Sequence, residues 1–329
     1  MKRKSARIDT TALMPILILL VILIVFVVLT RGENLTAQNL TNIINQSIPY
    51  FICGLGMLFV AAIGGTDITC GSLIGLAGAL SGMAATEVSI WLLFPVAIGV
   101  GLAVGVINGV FVAKLKIPSF MMTLSMLIAL RACVSWLLQA SNVMATREML
   151  VFNRMYIKLP ILIVLIIVFG YIFRFTPFGT YLRAIGENEQ AISYTGVNLD
   201  AVKIAAFAIS GALAGVASIF VMVRNGGANN TMGSSMEMRV MLCLFLASIP
   251  VQGGSGTRLY KMIVGVLTYF VLDNGLTLLG GSTIINQLIR GIVMILALYV
   301  TRLAADQRLK HDVKLAMEAE QEQQKAIQP

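Results

Sequence analysis

Apolar runs near the roughly 20 residues needed to cross a bilayer recur along this chain, with only short polar joints between them. The runs cover approximately Leu13–Thr30, Ser47–Ile63, Gly71–Ala85, Ile90–Ala113, Ser119–Gln139, Leu159–Phe175, Ala201–Val223, Met238–Val251, Met262–Leu279 and Thr283–Thr301. No soluble domain fits in the gaps. Lipid offers a backbone no hydrogen bonds, so runs of this length fold as helices. The expected fold class is all-α: a polytopic membrane protein of about ten transmembrane helices in a compact bundle. The balance of 58% hydrophobic against 12% charged residues departs from the about 45–50% and about 25% of soluble domains in the same direction. Gly71, Gly75, Gly78 and Gly82, then Gly101, Gly105 and Gly109, recur at three- and four-residue intervals, and such small faces let helices in lipid approach closely. The second to fifth spans, taken as a block, enter from one side and the seventh to tenth from the other, as in transporter folds duplicated upside down.

The net charge of +9 invites a nucleic-acid reading, but its distribution argues otherwise. With the amino terminus inside, one face receives Lys2, Arg3, Lys4, Arg7, Lys114, Lys116, Arg174, Arg183, Lys203, Arg258, Lys261 and Arg302. The other receives only Arg31, Arg147, Arg154, Lys158, Arg224 and Arg239. This asymmetry puts both termini in the cytoplasm of a bacterial inner-membrane protein and removes the need for a nucleic-acid partner. Lys2-Arg3-Lys4 before an apolar run also resembles a signal peptide, yet the run exceeds the usual 7–15 residues and lacks a small-residue cleavage site, so an uncleaved first span is preferred. Residues 1–302 are read as the membrane domain and 303–329 as a polar cytoplasmic tail. Cys53, Cys70, Cys133 and Cys243 lie in or beside apolar helices without C-x-x-C spacing and read as buried thiols. His311, the single histidine, lies in the tail, so neither a histidine metal site nor a catalytic triad is expected, and no cofactor is.

Two polar interruptions stand out. Phe178–Asn198 is a polar island in which Asn188 suits the N-cap of a short helix, Glu187 and Glu189 its positive end, and Gly196 the turn that stops it. So short a helix needs a partner to pack against; the plain alternative is a solvated connection. Ile63–Ser72 breaks a membrane-long stretch with Gly64-Gly65, and Asp67 there is either a functional carboxylate or an N-cap of the next helix. Arg131 and Asp273 lie within spans, with Arg290 nearer an outer end. A charge in hydrocarbon costs at least about 2.5–3.5 kcal/mol, so Arg131 and Asp273 are expected to face the interior as a candidate pair, either as static struts or beside a pathway. Asn108, Asn274 and Trp136 suit the lining of a route for neutral polar solutes. No G-x-x-x-x-G-K-[ST] occurs, so P-loop hydrolysis of ATP by this polypeptide is not expected and it is not read as an enzyme.

The polar island resembles, nearly residue for residue, the cytoplasmic coupling loop G-x-x-L-R-A-I-G-x-N of ribose- and galactose-type ABC importer permeases. Gly64–Ser72 is similar to that family's G-G-I-D-L-S-x-G-S, Gly105–Gly109 to G-x-I-N-G, Lys114–Leu124 to K-x-x-I-P-x-F-I-x-T-L, and Asp273–Gly280 to N-N-G-L-x-L-L-G. Leu244–Gly256 departs: the later glycines of the family's G-G-T-S-L-x-G-G-x-G survive, while the first pair and T-S-L are absent. The resemblance implies the membrane subunit of a binding-protein-dependent importer for a simple sugar or related small polar molecule. It further implies a separate ATPase, a periplasmic or lipid-anchored binding protein, and a second permease copy or paralogue, all in membrane lipid. It places ATPase coupling on Gly179, Arg183, Gly186, Glu187, Asn188, Ala191 and Gly196. Substitutions such as Gly186→Pro or Arg183→Glu are then expected to spare folding while abolishing ATPase association or turnover. Candidate pathway residues are Asp67, Asn108, Arg131, Asp273 and Asn274. Nucleoside, autoinducer and amino-acid importers remain open within the class. The rival outside it is a secondary transporter with Asp67 or Asp273 as its ion site.

Overall fold

Each of the ten apolar runs contains an α-helix in the computed structural model, which describes residues 10–139, 142–249, 253–280, 282, 284–293, 295–296 and 299. The helices are α1 (Thr10–Leu29), α2 (Ala37–Ala62), α3 (Cys70–Glu87), α4 (Leu93–Ala113), α5 (Ser119–Leu137), the short α6 (Arg147–Leu150), α7 (Met155–Phe175), α8 (Pro177–Ser193), α9 (Leu199–Asn225), α10 (Met236–Leu246), α11 (Leu259–Leu278) and α12 (Ile284–Val293). The tail 303–329, with His311, and the basic amino terminus lie outside the described residues.

Among the described residues six helices are long and apolar enough to cross a bilayer: α2, α4 with the turn before it, α5, α7, α9 and α11. The other four runs fall outside this set: α3 and α10 have 18 and 11 residues, and the apolar stretches of α1 and α12 cover Leu13–Leu29 and Ile284–Val293. α10 has 11 residues, about 17 Å, and ends at Leu246 although the run Met238–Val251 continues. Ser248 adopts φ 55°, outside helical space, and a proline follows at position 250, where its missing N–H and its ring disfavour further helix. One element departs from all-α: Val143–Met144 (β1) pairs antiparallel with Gly227–Ala228 (β2), tying the chain before α6 to the end of α9.

α2 and α9 run through the interior although α4 and α7 are the more apolar helices, because lipid accepts an apolar face as readily as the core does. Every residue from Ser47 to Ala62 and from Leu213 to Val223 is buried. In contrast, only 17% of the membrane-length window of α5 and 22% of that of α7 are buried, leaving their apolar faces for lipid or another chain. Three glycines set the closest crossing. A Cβ at Gly101 would land on the carbonyl oxygen of Gly211, and one at Gly105 on that of Phe207. At Gly109 it would lie 2.7 Å from the Ile204 Cα.

Gly105→Leu is therefore expected to prevent α4 from docking on α9. Its penalty should be at least about 3 kcal/mol, the upper end of overpacking, because rigid backbone blocks the way. Gly99→Leu on the same helix meets nothing within 4 Å and should be tolerated. Unfolding of both variants in mixed micelles checks the difference.

Candidate functional site

The polar island folds as α8, and its sequence explains its local shape. Thr176 receives the Gly179 N–H at 3.5 Å, with Pro177 at the first helical position. Asn188 leaves helical geometry (φ −158°, ψ 95°) and splits α8 in two. Its Oδ1 accepts the Ala191 N–H at 2.9 Å, so it N-caps the second half as the sequence predicts. Glu189 opens that half and pairs with Lys203 of α9 at 2.7 Å. Gly196 takes φ 78° in the turn to α9, whose own N-cap is Asn198, accepting from the Ala201 N–H at 3.0 Å.

The two faces of α8 differ. Leu182 and Ile185 are buried, while Asn188, Gln190, Ala191 and Tyr194 are exposed, Tyr194 to 89%. Beneath lies the carboxyl end of α2, where chain turns meet backbone to backbone. The Gly254 N–H donates to the Ala62 carbonyl at 3.0 Å, and Gly64, Gly253 and Gly254 all have positive φ. A Cβ at Gly186 would sit on the Ala62 oxygen and the Gly254 nitrogen, and one at Gly179 on the Phe173 carbonyl. Gly179 and Gly186 therefore face inward, and the expectation that a Gly186 substitution spares the fold is corrected: there is no room for a side chain. Arg183 is half-buried, its guanidinium 5.4 Å from the Phe173 ring centre.

Glu187 is almost fully solvated, yet its Oε1 accepts the Ser255 N–H at 3.1 Å. Hydrogen bonds from the Ser255 side chain and backbone hold its carboxyl below the ordinary range. The lowered value fixes the sign of the pH effect. Stability from this contact is present above the ordinary carboxylate range and is lost as pH falls through the lowered value. Thermal midpoints of the protein and of Glu187→Gln should differ at neutral pH and converge in acid.

The five buried or half-buried polar candidates fall into separate groups. Asp67, 3% exposed, accepts the Thr69 N–H at 3.0 Å and the Thr69 hydroxyl at Oδ1, and the Ser210 hydroxyl of α9 at Oδ2, 2.7 Å. Asn108, wholly buried, donates to Thr69 Oγ1 at 3.4 Å. Asn274 forms a reciprocal amide pair with Asn39, at 2.7 and 2.8 Å. Asn39 lies in the first turn of α2 and Asp67 beyond its last residue, about 35 Å along the helix, so one ligand cannot touch both groups. Arg131 donates to the Met232 carbonyl at 3.0 Å, whereas Asp273 pairs with Arg290 at 2.6 Å. The expected Arg131–Asp273 pair is thus corrected. Charge reversal at both Asp273 and Arg290 should rescue the unfolding midpoint lost in each single reversal, whereas Asp273 with Arg131 should show no rescue.

Sequence reading missed several partners. Ser210 sits in an apolar helix far along the chain, where no local pattern marks it. Lys158, assigned from the sequence only to the outer face, is 1% exposed with its ammonium on the side-chain oxygens of Asn45 and Asn153; a lysine adjoining the apolar run from Leu159 is the available cue. Cys133 is exposed, against the expectation that all four thiols are buried, while Cys53, Cys70 and Cys243 are buried.

Residues 39–298 match the model of the family described as branched-chain amino acid transport system / permease component. The chain belongs to this family. The permease is 31% identical over 291 residues to the ribose import permease protein RbsC of Haemophilus influenzae, covering 85% of this chain and 90% of the relative. It is 30% identical over 295 residues to RbsC of Escherichia coli, covering 86% and 92%. It is 25% identical to the xylose transport system permease protein XylH of Haemophilus influenzae, covering 85% and 93%. These relatives bear out the resemblance to simple-sugar import permeases drawn from the motifs. No solved structure matches the permease.

Proposed function

We propose that the permease is the membrane-spanning subunit of a bacterial ABC importer for a simple sugar or related small polar solute, driven by a separate ATPase that docks on α8. The observation that carries this reading is the seating of α8: a polar, solvent-facing helix pair whose inner side abuts the carboxyl end of the central helix α2 through Gly186 and Gly254. Force applied to α8 reaches the helix that runs through the bundle core. Rocking of α2 would then move its far end, where Asn39 meets Asn274, and alternate the access of a central route. Gly179 and Gly186 set the seat, Arg183 and Glu187 hold it, and Asn188, Ala191 and Gly196 shape the outer surface that meets the ATPase.

All ten apolar helices cross or enter the membrane in this reading, with both termini and α8 on the cytoplasmic side. A periplasmic or lipid-anchored protein delivers substrate, and a second permease copy completes the route. Packing pairs support an inverted duplication: α2 meets α9, α4–α9 is mirrored by α2–α11, α3–α9 by α2–α10, and α3–α4 by α10–α11. Asp67 and Asp273 are both occupied by hydrogen bonds or an ion pair, which argues against either as an open ion site.

Proteoliposomes holding the permease, the ATPase and the binding protein of its own operon test this with radiolabelled ribose and xylose as probes. Uptake should require ATP inside and all three components. Accumulation driven by a proton or sodium gradient with the permease alone would overturn the proposal.

A further inference from the structure

Beside α8, at the end of the bundle where α7 finishes and α11 begins, lies a cleft of about 470 Å³ lined by Arg174, Arg183 and Arg258 with Ser255, Phe173 and Tyr260. Its size falls within the about 300–1,000 Å³ of small-ligand sites. Among the described residues no carboxylate pairs with any of the three arginines. Glu187, the acidic neighbour of the lining, turns its Oε1 to the Ser255 backbone N–H instead. The first turn of the 20-residue α11 starts at the cleft with no side-chain cap, adding the positive end of a helix to three fixed charges. Guanidiniums lining one cleft offer paired donors of the kind that match phosphate oxygens. Below the cleft, α7 exposes the apolar stripe Val164, Ile167, Tyr171 and Phe175, in line with the arginine-bearing end of the same helix. Cationic cleft and apolar track together have the shape of a headgroup pocket with an acyl-chain groove.

We infer that this cleft binds the phosphate of an acidic phospholipid, with the acyl chains lying along α7. The cleft shares Arg183 and Ser255 with the seat of α8, while its other two arginines belong to the end of α7 and the turn before α11. Arg174 and Arg258, which have no part in the coupling proposal, serve as the tests.

Native mass spectrometry of the full chain in detergent micelles reads retention of dioleoylphosphatidylglycerol against dioleoylphosphatidylcholine, with inorganic phosphate as competitor. Phosphatidylglycerol should be retained selectively. R174Q and R258Q should each weaken retention about fivefold, the effect of one basic residue near an anionic surface. R31Q, at an exposed arginine after α1, should leave it unchanged, and gel filtration should show all three variants monodisperse. Equal retention of the two lipids, or the same loss in R31Q, would overturn the site. Full displacement of the lipid by millimolar phosphate would reassign the cleft to a free anion. Loss of ATPase association in R174Q and R258Q with lipid retention intact would reassign it to the ATPase.

Discussion

Gly186→Val should cut ATP-driven uptake about tenfold to a hundredfold by unseating α8 while the rest of the bundle remains inserted in the membrane. A side chain at this position would occupy the space of the Ala62 carbonyl and the Gly254 amide, and both are backbone atoms that cannot swing aside. α8 must then lift from the end of α2, breaking the Gly254-to-Ala62 hydrogen bond or the contact that transmits force. Overpacking of this kind costs about 1–3 kcal/mol. If the seated arrangement is the one that couples, uptake falls about tenfold to a hundredfold, since about 1.4 kcal/mol is a factor of ten. Gly186→Ala should show a smaller loss in the same direction. Gly196→Ala, where nothing lies within 4 Å but φ is 78°, carries only the smaller strain of a left-handed backbone and should retain most uptake. Initial rates in the reconstituted system, with the membrane-inserted fraction measured alongside, separate a lost seat from lost protein. Wild-type uptake in Gly186→Val would remove α8 from the coupling route.

Features governed by neighbours in the chain were legible before any coordinates. The apolar runs located helices because lipid leaves a backbone no other partner. Asn188 could be read as a cap because the acceptor and its N–H lie three residues apart. Gly101, Gly105 and Gly109 announced a close helix contact through their four-residue spacing. Features set by the crossing of distant helices were not legible. Asp67 finds Ser210 143 positions away, Asn39 finds Asn274 235 positions away, and Asp273 takes Arg290 rather than Arg131. Charges in lipid had to be paired on energetic grounds, but the partner depends on helix rotation, which composition does not encode. Gly186 shows the same limit: its place in a motif marked it as important, and only the packing reveals that it serves an internal joint.

Asp67 offers the second large effect, and its two substitutions should part company. Asp67→Ala strands the Ser210 hydroxyl and the Thr69 N–H inside the bundle, removing the link between the start of α3 and the middle of α9. Hydrogen bonds to a charged group contribute about 1.5–3 kcal/mol each, so unfolding in mixed micelles should report a loss of about 3–5 kcal/mol, and transport should fail with it. Asp67→Asn keeps an oxygen for Thr69 and offers an amide donor to the Ser210 oxygen, so its penalty should stay near about 1 kcal/mol. The amide cannot bind and release a proton at any accessible pH. Transport that survives in Asp67→Asn and fails in Asp67→Ala therefore identifies the carboxylate as the tie between α3 and α9, with energy supplied from outside the bundle. Stable but inactive Asp67→Asn would point the other way, to a titrating carboxylate at the helix break and an ion gradient as the driving force.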